Sequence, residues 1–146
     1  MSTQSAPDAG QAQPQTKLDI RFPAQADLVA GVVDKVVALA RQLHGETDKE
    51  LELALALTEA LANAVKHGSK GDPSREVRCR VIVEGPAMTI MVRDSGSGFD
   101  PGSVANPLES AGLNADHGRG LYMIRQLVDE VRFERNGAEI HMTKRF

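Results

Sequence analysis

The sequence predicts an α+β fold, on three observations. Apolar residues recur at helical spacing in three segments, near 28–39, 48–67 and 121–128. They alternate with polar residues at period two in five shorter runs, near 18–22, 77–83, 88–92, 131–133 and 140–142. Turn residues then join four of those runs into two hairpins, at Gly85-Pro86 and at Asn136-Gly137.

Composition bounds the function classes. A chain of 146 residues suits one domain with a core of its own, without metal or disulfide staples. No apolar run approaches the roughly 20 residues of a membrane helix. Seventeen Lys+Arg against twenty Asp+Glu give a net charge of −3, and Trp is absent, which argues against a general nucleic-acid binder. Cys79 is the single cysteine, so no intramolecular disulfide is expected, which fits a reducing, cytoplasmic setting. The first sixteen residues hold neither Lys nor Arg nor an apolar block, so no signal peptide is expected.

The elements follow in order. Residues 1–15 are mostly Gln, Ala, Ser and Pro, read as a disordered tail ahead of a single domain over 16–146. Leu18, Ile20 and Phe22 alternate with Asp19 and Arg21 in a strand that ends at Pro23. Leu28, Val32, Val33, Val36, Val37 and Leu39 form a helix that stops around His44-Gly45. Thr47 is a candidate N-cap, with Glu50 completing a capping box, for a second helix from Asp48 to His67 that ends at Gly68 as C-cap. Its Leu and Ala content all round marks it as buried on most sides. After the first hairpin, residues 95–118 carry no period and read as a long functional loop. A third helix is expected to open just after Gly120, and the second hairpin finishes the fold.

Three patches carry chemistry. Glu59, Asn63 and Lys66 lie at i, i+4 and i+7 on an otherwise apolar helix, so they form one polar stripe. The stripe faces either water or an internal cleft; in a cleft its oxygens suit a hard cation such as Mg²⁺, and Glu59 could take a proton. Asp94 projects by period two to the apolar side of its strand, where a carboxylate needs a partner. It either caps the turn Asp94-Ser95-Gly96-Ser97-Gly98-Phe99 or accepts from a ligand amine, with Gly96 and Gly98 letting the backbone approach. His117-Gly118-Arg119-Gly120-Leu121 precedes the third helix and is either a flexible hinge or a phosphate site at a helix N-terminus. Neither a Walker A loop nor a Gly-x-Gly-x-x-Gly fingerprint occurs.

Taken in order, an Asn-bearing helix, Asp-x-Gly-x-Gly after a strand and Gly-x-Gly before a helix resemble the GHKL ATP-binding superfamily. Glu59-Ala60-Leu61-Ala62-Asn63-Ala64, and Gly118 through Val131, are most similar to its small bacterial branch of anti-sigma factors that are serine-protein kinases. The resemblance spans about residues 17–146. It implies a Bergerat-type two-layer α/β sandwich, with a mixed, mostly antiparallel sheet and helices on one face. It implies ATP and Mg²⁺, with Asn63 as metal ligand, Glu59 as general base and Asp94 on the adenine amine. Gly96, Gly98, Phe99, Gly118, Arg119, Gly120 and Leu121 would contact the nucleotide, and Lys66 and His67 are grouped with them. Residues from about Phe99 to Gly120 would form a lid. Relatives often carry Thr after the glycine that opens the last strand; here Ala138 follows Gly137. The activity implied is transfer of phosphate to a serine or threonine of an anti-sigma-factor antagonist, with a sigma factor held in the alternate partner state. A non-catalytic nucleotide-dependent binding module is the alternative. Nucleic acid and membrane are not expected partners, and a homodimer is the symmetric outcome if the chain self-associates.

Overall fold

The computed structural model describes residues 13–96 and 115–146, the side chains of 115–118 excepted. Most of the expected tail, Gly98, Phe99 and most of the expected lid therefore lie outside the described residues.

Strand β1 (Gln15–Pro23) starts two residues before the run read from Lys17, with a register shift between Thr16 and Leu18. It is an edge strand, which is where a terminal proline is tolerated. Helix α1 (Val29–His44) ends at Gly45, whose φ of +78° suits a residue without Cβ. Helix α2 (Asp48–Asn63) is capped as expected by Thr47, whose Oγ1 accepts from the Lys49 amide at 3.1 Å. The second half of the expected capping box is different. The buried Glu50 carboxylate accepts from Arg41 Nε at 2.8 Å and ties α2 to α1.

Nor does α2 run on to His67. From Ala64 to Gly68 the chain widens into one turn of π-helix, and Gly68 keeps a negative φ, so it is not the left-handed C-cap expected. Strands β2 (Glu76–Glu84) and β3 (Ala87–Arg93) form the first hairpin, with Gly85 at φ +60° in its turn. Helix α3 (Ala115–Leu127) begins six residues earlier than expected, so Gly118, Arg119 and Gly120 lie inside it and not ahead of it. Strands β4 (Glu130–Glu134) and β5 (Glu139–Arg145) close the fold. Their turn holds three successive positive-φ residues, Arg135, Asn136 and Gly137.

The five strands form one sheet in the order β1-β2-β3-β5-β4, and every ladder is antiparallel. Period two sends Val77, Cys79 and Val81, then Met88, Ile90 and Val92, then Ile140 and Met142 to the face that the helices cover. Leu53, Leu57 and Leu61 of α2 and Val36 of α1 complete that core, each fully buried. The opposite face is polar: Arg78 binds Asp19 through two nitrogens, Arg93 binds Glu139, and Thr89 meets Thr143 across the strands. This is the two-layer α+β sandwich expected, except that among the described strands the sheet is antiparallel throughout and not mixed. Helix α2 packs between α1 and α3, yet Leu51 and Leu55 stay 63% and 47% exposed, so its outer side is open despite its composition.

Candidate functional site

At the end of β3 the sheet supplies a carboxylate and two loops supply the room for it. The Asp94 amide donates to the Ala138 carbonyl at 2.9 Å, which fixes this strand end beside β5. Its Oδ1 accepts from the Gly96 amide at 2.7 Å, and the Ser95 hydroxyl donates to the Glu76 carbonyl at 2.8 Å. Gly68, at the end of the π turn, faces the same carboxyl. A Cβ on Gly68 would overlap Asp94, and one on Gly96 would overlap the Gly68 carbonyl. Both glycines serve close approach. Burial pushes the Asp94 carboxyl above its ordinary range, an effect partly offset by the Gly96 amide and the charge of Arg75.

Asp94 opens into a cavity of about 500 Å³, the size of a small-molecule site. Its walls are apolar where Val92, Leu121, Ile124, Phe133 and Ile140 meet, and polar at Asn63, His67, Lys70, Arg75, Asp94 and Ser95. Of the residues singled out in the sequence, Asn63, His67, Asp94, Gly96 and Leu121 line it. Glu59 and Gly120 border it differently. A Cβ on Gly120 would overlap the Glu59 carboxylate and come within 3.0 Å of Asn63 Nδ2, so α3 lies on both side chains at its glycine. Arg119 is exposed on α3, one residue ahead of that contact.

Lys66 leaves the expected stripe. In the wider π turn residue i+3 no longer returns beneath residue i, so His67 lines the cavity with Asn63 while Lys66 lines a second groove. The sequence reading missed Lys70, Arg75, Phe133 and the strand-end positions Val92 and Ile140. Val92 and Ile140 had a signal, since period two places them on the core face beside Asp94; Lys70 and Arg75 sit in an aperiodic turn and had none.

The donor set fits a purine nucleotide and a hard cation. A half-buried acceptor between apolar walls suits an exocyclic amine on a flat ring, and Asn63 with Glu59 offers oxygen ligands. The chain belongs to the histidine kinase-like ATPase domain family, which matches residues 22–144. Within it the chain falls in the branch of anti-sigma factors and serine-protein kinases. It is 31% identical over 141 residues to serine-protein kinase RsbW of Bacillus subtilis, covering 87% of this chain and 84% of that one. It is 31% identical over 140 residues to RsbW of Bacillus pumilus, with the same coverage. Anti-sigma F factor of Geobacillus stearothermophilus is 27% identical over 135 residues, covering 89% and 92% of the two chains. Among the described residues no helix is long and apolar enough to cross a membrane.

Proposed function

We propose that the chain is an ATP-dependent serine/threonine-protein kinase of the anti-sigma-factor type. It transfers phosphate to a hydroxyl of an antagonist protein and holds a sigma factor in the alternate partner state. The observation that carries the reading is the meeting of Glu59 and Asn63 at Gly120, beside a cavity that Asn63 and Asp94 both line.

In this reading Asp94 accepts from the adenine amine, and its cradle of Gly68 and Gly96 holds the acceptor still. Asn63 holds Mg²⁺, which neutralises phosphate charge when bound. Glu59, one helical turn away, takes the proton of the attacking hydroxyl as its oxygen bonds to the γ-phosphorus and ADP departs. Phosphoryl transfer needs little more than position and charge neutralisation, so this small set suffices. A second reading, a nucleotide-dependent binding module without turnover, draws support from Glu59 resting on α3 outside the lining of the cavity.

Radiolabel transfer from γ-labelled ATP to the partner that co-purifies from the native cell separates the two. Glu59→Gln should bind ATP as the wild type does and lose transfer by roughly 10²- to 10⁴-fold. If the wild type labels no serine or threonine, the binding-module reading takes over. Transfer by Glu59→Gln at the wild-type rate would make Glu59 structural.

A further inference from the structure

Strand β3 ends at Arg93, yet the sheet keeps hold of the chain beyond it. On the β5 side the ladder that pairs Arg93 with Glu139 would next pair Asp94 with Ala138, and the Asp94 amide does donate to the Ala138 carbonyl at 2.9 Å. On the β2 side the ladder that pairs Arg78 with Arg93 would bring Glu76 opposite Ser95. There a side chain takes the place of backbone. The Ser95 hydroxyl donates to the Glu76 carbonyl at 2.8 Å and accepts from the Glu76 amide at 3.3 Å. One oxygen thus answers both backbone groups that a ladder residue would answer with its own N–H and C=O.

The anchor for this clip is firm. Glu76 is the first residue of β2 and pairs with Pro23 of β1, and the Arg75 carbonyl just before it accepts from the Ala24 amide at 2.9 Å. Because the hydroxyl reaches across to β2, the chain can leave the sheet straight after Asp94. Gly96 then comes against Gly68, and its amide lies 2.7 Å from Asp94 Oδ1. Asp94 is held from two strands, by its own amide on one side and by its neighbour's hydroxyl on the other. Ser95 also lines the cavity, so the clip stands at the edge of the site that it steadies.

The residue type matters here. A hydroxyl donates and accepts at a single atom, which is what two backbone groups of one residue require. Alanine offers neither bond. A carboxylate would accept from the Glu76 amide and repel the carbonyl beside it. Threonine keeps the hydroxyl and suits extended backbone.

We propose that Ser95 is a positioning residue, whose hydroxyl clip to Glu76 holds the Asp94 carboxyl where it selects a base bearing an exocyclic amine. The selection rests on the kinase reading, in which Asp94 meets adenine; the clip does not. Ser95 acts through Asp94, so its loss should be felt as a loss of selectivity. Since Ser95 is exposed, the fold itself should hardly register the change.

The test has two parts, both on the full chain. A short bond from an amide to a carboxylate deshields the amide proton. In the nucleotide-free protein the Gly96 amide proton should therefore resonate downfield in the wild type and in Ser95→Thr, and move upfield in Ser95→Ala. Calorimetry then compares ATP with purine riboside triphosphate, which is ATP without the C6 amine, each with Mg²⁺. The wild type should prefer ATP by about tenfold or more, and Asp94→Ala should lose that preference. Ser95→Ala should bind ATP about fivefold more weakly and the amine-free analogue within about twofold of the wild type, and Ser95→Thr should restore the preference. A Gly96 resonance unchanged in Ser95→Ala overturns the clip. Equal weakening of both nucleotides, or a preference left at the wild-type value, overturns the positioning role. No preference in the wild type, or one that survives Asp94→Ala, overturns the adenine reading and the selection with it, while the Gly96 resonance still decides the clip.

Discussion

The Asp94 carboxyl packs against Gly68 and accepts from the Gly96 amide, in space that a Cβ on either glycine would fill. Burial raises its pKa above 3.8, with the Gly96 amide and Arg75 opposing. A carboxyl raised in the folded state binds protons more readily there than in the unfolded chain. Its contribution to stability is therefore present below pH 3.8 and is lost as pH rises through the folded value. At neutral pH the ionised group costs the empty protein stability. Asp94→Asn keeps an acceptor for the Gly96 amide and removes the charge, so thermal melts should show a higher Tm at pH 7 and convergence toward pH 4. Equal melting temperatures at pH 7 would refute the burial cost. In the proposed reading Asp94→Ala should weaken ATP binding roughly 10- to 100-fold by calorimetry, because the acceptor for the adenine amine is lost.

The contact between α2 and α3 turns on Gly120 in the same way. On an exposed helix Gly→Ala stabilises by about 1 kcal/mol. At Gly120 the added methyl meets the flexible ends of the Glu59 and Asn63 side chains, which must swing aside, so in the proposed reading Gly120→Ala should stay within about 1 kcal/mol of the wild type in urea denaturation and weaken Mg²⁺-dependent ATP binding by calorimetry. Wild-type ATP affinity in Gly120→Ala would mean that the displaced side chains do not serve the nucleotide. The same contact explains why the sequence misplaced the start of α3. Two glycines in three residues read as a break, since propensity is local, and the gain from packing on α2 is not visible in the sequence. Periodicity did reveal the strands, because Met88, Ile90 and Val92 alternate with residues that face water or a polar layer. It revealed Asn63 and Asp94 as well, each a polar group on an apolar surface. It could not reveal the π turn, since the stripe Glu59–Asn63–Lys66 obeys α spacing and only tertiary contact widens the last turn. Gly68 reads as a cap in the sequence because its real partner, Asp94, lies on the far side of a hairpin.

Among the described residues one buried cation joins three elements. Lys144 of β5 is 7% exposed, and its Nζ donates to the Leu127 carbonyl at the end of α3 at 2.6 Å and to Glu52 of α2 at 2.8 Å. Glu52 is partly exposed, so the hydrogen bond to the helix end matters more than the ion pair. Lys144→Met fills the space and leaves that carbonyl unpaired; equilibrium unfolding should lose about 1–3 kcal/mol, and an unchanged midpoint would show the carbonyl to be solvated. The position of β5 has a further consequence, for the chain as it is made. β5 is synthesised after β4 but lies between β3 and β4 in the sheet. The β1–β2–β3 meander and the α1–α2 pair can assemble while translation continues. β4 meets no other described strand until β5 emerges, and the cavity lacks Ile140, a part of its wall. A polypeptide stalled on the ribosome before Glu139 would already display Glu59, Asn63 and Asp94, and would have no pocket in which they could act together.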